Sequence, residues 1–70
     1  MTQATKQVLD DGFGSTVNVG NVLKGFGLNN AGRYYSVIAV GKSGRVRVQR
    51  HVDNKEYWVF LRALSARVVS

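Results

Sequence analysis

Between Tyr34 and Leu64 the chain reads YYSVIAV, GKSG, RVRVQRH, VDNK and EYWVFLRAL. Three runs rich in β-branched and aromatic residues alternate with two short breaks built from Gly, Ser, Asp and Asn. Such runs pack well on a pleated surface and such breaks close tight turns, so this stretch predicts a three-stranded antiparallel meander. The segment Val52-Asp53-Asn54-Lys55 can close as a two-residue Asp-Asn turn or as a four-residue loop. Both place Gln49 opposite Trp58.

Side chains alternate across a strand, so that register sorts the residues by face. Val46, Val48, Tyr57, Val59 and Leu61 share one side, with Arg50 as its only charge, at the open end. Arg45, Arg47, Gln49, His51, Glu56, Trp58, Phe60 and Arg62 share the other. The first set reads as core. The second interleaves cations with large aromatics, a composition suited to polyanions that carry exposed bases.

The remainder of the chain reads as helix and turn. Thr2 to Leu9 carries Ala4, Val8 and Leu9 at helical spacing, with Thr2 as N-cap and Asp10-Asp11-Gly12 as its end. The two acids sit at the wrong end for the helix dipole, which predicts a short, weak helix. From Val17 to Leu28, Val19, Val22, Leu23 and Phe26 form an i, i+3, i+4, i+7 stripe, with Asn18 as N-cap and Gly27 as C-terminal stop. Gly20 and Gly25 weaken that helix by up to about 1 kcal/mol each relative to Ala. Tyr34 to Val40 is apolar on both faces apart from Ser36, so cover from this helix or from a second copy of the chain is expected. A two-residue Lys42-Ser43 turn puts Val37 beside Val48, whereas a three-residue loop with left-handed Gly44 puts Ile38 there. Beyond Leu61, residues Arg62 to Arg67 can continue the strand or turn helical, and Val68-Val69 can pair as a short last strand. The expected class is α+β, one or two short N-terminal helices followed by the meander, in a single small domain over residues 1–70.

A second layout is compatible with the same residues. The spacing from Leu28 through Val37 and Val40 to Gly44 resembles the winged helix-turn-helix of small bacterial and viral regulators. That resemblance implies a first helix at Val17–Leu28, a recognition helix at Asn30–Lys42 led by Arg33 and Tyr34, and a wing at Arg45–Leu61. Against it, two tyrosines, three β-branched residues and the flanking Gly32 and Gly41 make Tyr34–Val40 poor helix material. The GKSGRVRV hairpin also resembles that of SH3-like barrels, a fold with more strands than the three read here.

Seventy residues without cysteine bound the chemistry. A chain this short buries only about 60% of its unfolded surface. With disulfides and thiolate metal sites excluded, stability must come from packing or oligomerisation. The formal charge is +6, and from Lys24 onward nine basic residues face only two acids. A charge of that size on a small domain commonly serves a polyanionic partner. No run approaches the roughly 18 apolar residues of a membrane span. The opening residues lack a cationic head followed by an apolar stretch, so a cytoplasmic location is expected.

Catalytic and cofactor motifs are incomplete. Gly41-Lys42-Ser43 would need a glycine where Ser36 stands to make a phosphate loop, and Gly25-Phe26-Gly27 lacks a third glycine at Asn30. His51 is the only histidine and has no acidic cluster for a metal; it reads as a plain exposed rim residue, with pairing to Glu56 or contact with a phosphate as alternatives. No serine has a His–acid partnership. Neither an enzyme, a cofactor, a small-molecule substrate nor a membrane partner is expected.

The leading expectation is a small basic protein that binds DNA or RNA, of the regulatory kind that phage and plasmids encode. Its candidate site comprises Arg33, Lys42, Arg45, Arg47, Gln49, His51, Lys55, Trp58, Phe60 and Arg62. In the alternative, Trp58 and Phe60 are core under the two helices, and the cations around them are a solvated rim. A different function is also consistent with the charge: a non-enzymatic modulator or inhibitor docking on an acidic protein surface. There the Tyr34–Val40 strand could augment a partner sheet or form a homodimer.

Overall fold

A computed structural model describes residues 9–70. Its strands are β1 (Val22–Gly25), β2 (Tyr34–Val40), β3 (Arg45–Arg50), β4 (Glu56–Phe60) and β5 (Ala66–Val68), with a one-turn helix α1 (Leu61–Leu64) before β5. They form one antiparallel sheet in the order β4-β3-β2-β1-β5. The expected α+β layout is therefore overturned: among the described residues α1 is the only helix. The winged helix-turn-helix fails with it, because the residues assigned to its recognition helix form β2, at the centre of the sheet. The expected helix at Thr2–Leu9 lies almost wholly outside the described residues. The sheet has five strands, two more than the expected meander.

The reason residues 17–28 are not helical lies in their glycines and in distant pairing. Gly20 adopts φ 97°, a left-handed conformation that ends any helix begun at Asn18. Its N–H donates to Val37 O at 2.8 Å. The chain then enters β1, where Leu23 pairs with Tyr35 on one side and with Val68 on the other. A strand bonded along both edges and burying Leu23 completely outweighs a helix burdened by two glycines. Of the supposed helical stripe, Leu23 is 0% exposed, while Val19 is 63% and Phe26 52% exposed.

The core lies on one face of the sheet. Leu23, Tyr35, Val37, Val46 and Val48 are joined there by Leu61 and Leu64 of α1, Ala66 of β5 and Val17 of the preceding loop. Leu9, Tyr57, Val59 and Val68 pack against this cluster. Asp11 accepts from the Val68 N–H at 2.9 Å and from Phe13 and Ser15 N–H groups. That carboxylate blunts the outer edge of β5, leaving β4 as the uncovered edge. Since β2 is central, it is not available to augment a partner sheet. Its outer side carries no helix: Tyr34 is exposed there.

Both hairpins settle in registers that sequence left open or misplaced. The β2–β3 loop is the three-residue Lys42-Ser43-Gly44, with Ser43 at φ 61° and Gly44 at φ 79°. A bulge between Val37 and Ala39 absorbs the extra residue, so Val37 still pairs with Val48. Between β3 and β4, Arg50 N–H donates to Lys55 O at 2.8 Å across a loop of His51 to Asn54. Arg47 therefore pairs with Trp58 and Gln49 with Glu56, two residues away from the expected register. Asp53 selects this loop: Arg50 grips it through Nε to Oδ1 at 3.0 Å and Nη2 to Oδ2 at 2.6 Å, and Lys55 N–H donates to it at 3.1 Å. A slip of two leaves every side chain on its original face.

Candidate functional site

The outer face of the sheet is built in cross-strand rows. Gly41 N–H bonds to Arg45 O at one end, and Arg45 pairs with Phe60. The next row runs Ala39, Arg47, Trp58, and the following one Ser36, Gln49, Glu56. At the far end Tyr34 pairs with Lys24, which in turn pairs with Arg67. Because neighbouring strands lie about 4.8 Å apart, each row presents its side chains as contiguous surface.

Aromatic rings and cations alternate along this surface. Trp58 is 48% and Phe60 50% exposed, so neither belongs to the core. The Arg45 guanidinium lies 5.7 Å from the Phe60 ring centroid and Lys24 Nζ 5.8 Å from that of Tyr34. The His51 ring stacks on Tyr34 at 6.3 Å and 25°, and its Nε2 is 2.7 Å from Ser36 Oγ. Glu56 is taken by Arg47, Nη2 to Oε1 at 3.2 Å, and not by His51. Gly41, Lys42, Arg45 and Trp58 line a shallow pocket of about 280 Å³.

The expected site residues are thus partly brought together. Lys42, Arg45, Arg47, Trp58 and Phe60 form one patch at the β2–β3 end of the outer face, while Gln49 lies toward the other end, paired with Glu56 and donating from Nε2 to Asn54 O. His51 joins Tyr34 and Ser36 instead. Lys55 is exposed in the β3–β4 connection, and Arg33 lies in the loop entering β2, its N–H bonded to Asn30 O. Arg62 leaves the face altogether: the chain turns into α1 at Leu61, and Arg62 lines a cleft with Leu9 to Gly12, Ser43 and Gly44. Lys24 and Arg67 escape sequence reasoning, because the spacing around Lys24 predicts a helix and Arg62 to Arg67 is compatible with either strand or helix. Val22 and Leu23 are both apolar, so no alternation marks this strand in the sequence.

Arg47 and Arg50 are the two ion-paired cations among the nine Lys and Arg of the described residues. The Arg50 hydrogen bonds draw the Asp53 carboxyl down from 3.8 to about 2. Asp11 also lies below its ordinary value: partial burial acts to raise it, and the backbone N–H groups of Val68, Phe13 and Ser15 together outweigh that burial. Among the described residues no three His, Cys, Asp or Glu side chains gather as a metal site. No helix among them is long and apolar enough to cross a membrane. Comparison with protein-family models, with curated proteins and with solved structures finds no match.

Proposed function

We propose that this chain is a small, non-enzymatic nucleic-acid-binding protein, regulatory in role and acting in the cytoplasm, whose contact surface is the outer face of the sheet. The observation that carries the reading is the pairing of Trp58 with Arg47 and of Phe60 with Arg45, both rings half exposed. Cations beside open aromatic faces suit a ligand that offers phosphates and base faces together. Lys42 extends the patch from the β2–β3 turn, and Lys24 and Arg67 continue it across the sheet.

The test is the affinity of Arg47→Ala for single-stranded DNA, duplex DNA and RNA over a series of salt concentrations. Each phosphate neutralised contributes about 0.7–0.9 to the slope of log affinity against log salt. Loss of Arg47 should weaken binding and flatten that slope by about one contact's worth. Unchanged affinity and slope for all three ligands would refute the outer-face site.

A second reading rests on the uncovered edge of β4. Glu56, Trp58 and Phe60 line that edge, where a second copy or a partner strand could add to the sheet. Light scattering that finds a monomer at high concentration removes the homodimer form of this reading.

A further inference from the structure

The Trp58 indole does not stand off the sheet. A Cβ placed on Gly41 would lie 2.8 Å from Trp58 Cζ3 and 3.4 Å from Cη2, so the benzo edge of the ring rests against the Gly41 backbone. Gly41 follows β2 and Trp58 belongs to β4, two strands away, with β3 between them. To span about 10 Å of sheet the ring must lie along the surface, crossing β3 beside Arg45 and Arg47. Reaching across β3 in this way, Trp58 keeps about half of its surface open, at 48% exposure.

The surroundings fit a flat anionic ligand. The pocket is lined by the Trp58 ring, by Gly41 and by two cations, Lys42 and Arg45. Arg45 is held there by the Phe60 ring under its guanidinium. No carboxylate lines the pocket. An aliphatic or spherical ligand would leave the π face unused. A base inside a duplex has both faces covered by its stacked neighbours and cannot lie on the ring.

We infer that the slot between Trp58, Gly41 and the β2–β3 turn holds one unpaired nucleobase flat on the indole, with its phosphate on Lys42 and Arg45. Gly41 is the positioning residue that lets the ring lie down. The inference rests on the nucleic-acid reading of the outer face and narrows it to single strands. Stacking on an open ring accepts any base, so the slot favours single strands without selecting a sequence.

The test compares a short oligothymidylate with an abasic strand of the same length and charge, using the full chain and labelled strands followed by anisotropy. The slot requires the oligothymidylate to bind roughly five- to 150-fold tighter than the abasic strand, the worth of one stacked base. In Gly41→Ala the new methyl displaces the ring, and the ratio between the two strands should fall toward one. Trp58→Leu, a surface change that keeps apolar bulk but removes the π face, should do the same, and far-UV circular dichroism checks that each variant folds. Equal binding of both strands by the unsubstituted chain, or an undiminished ratio in both variants, overturns the slot while leaving the outer-face reading in place. Failure to bind either strand at low salt overturns the slot, and failure to bind duplex DNA and RNA as well overturns the outer-face reading.

Discussion

Leu23→Ala separates the strand at Val22–Gly25 from the helix its periodicity suggests. Leu23 is 0% exposed and lies between Tyr35 and Val68. Truncating a fully buried leucine costs about 2–5 kcal/mol, from lost transfer energy and the cavity left behind. A domain of 70 residues has a total stability of roughly 3.5–10 kcal/mol at 0.05–0.15 kcal/mol per residue. The substitution therefore removes a large fraction of the total, and the melting temperature should drop by at least about 10 °C. Val19, 63% exposed, is the control: Val19→Ala should stay within about 0.5 kcal/mol. Phe26→Ala should fall between them, losing the edge-to-face contact with Phe13 at 5.3 Å, worth about 0.5–1.5 kcal/mol beyond its area. A helix would bury Val19, Leu23 and Phe26 on one stripe and make the three losses comparable. Urea unfolding followed by far-UV circular dichroism measures all three. Equal destabilisation by Val19→Ala and Leu23→Ala would refute the strand and the sheet order built on it.

Other consequences follow from single contacts. Gly25→Ala should destabilise by about 1–3 kcal/mol in thermal melts, because the new methyl collides with the Asn30 backbone carbonyl and lies 2.6 Å from Asn30 Cγ. The Asp53 carboxyl should titrate at about 2 by NMR, and Arg50→Gln should return it toward 3.8. Since folding depresses that pKa, the ion pair stabilises the β3–β4 loop above about pH 4 and loses its effect as pH falls through about 2. Glu56→Gln should tighten nucleic-acid binding several-fold, because it frees Arg47 from its 3.2 Å ion pair; weaker binding would show that Glu56 takes part in recognition.

The three strands from Tyr34 to Phe60 were legible, β2 from its β-branched and aromatic content and β3 and β4 from a period of two. Their faces could be read even though the β3–β4 register could not, since a slip of two residues exchanges partners without exchanging sides. What set the register was the grip of Arg50 on Asp53 and the left-handed Asn54, local contacts that alternation does not encode. β1 was not legible. Its four residues are too few to show alternation, and with their neighbours they mimic a helical stripe. Its identity came from Tyr34–Ser36 and Ala66–Val68, partners far along the chain. The same gap hid Lys24 and Arg67 from the candidate site, while the turn into α1 at Leu61 removed Arg62 from it. Lys42, Arg45, Arg47, Trp58 and Phe60 could be grouped from sequence. The lie of the indole against Gly41 could not, because it depends on the β2–β3 loop and on two strands of lateral distance.

Trp58 is the only tryptophan in the chain, which makes its emission a direct report on the outer face. The measurement is a fluorescence titration with single-stranded DNA, duplex DNA and RNA at two salt concentrations. The account requires quenching by the single strands, with an affinity that falls steeply as salt rises. Unchanged emission and no binding of any of the three at low salt would contradict it.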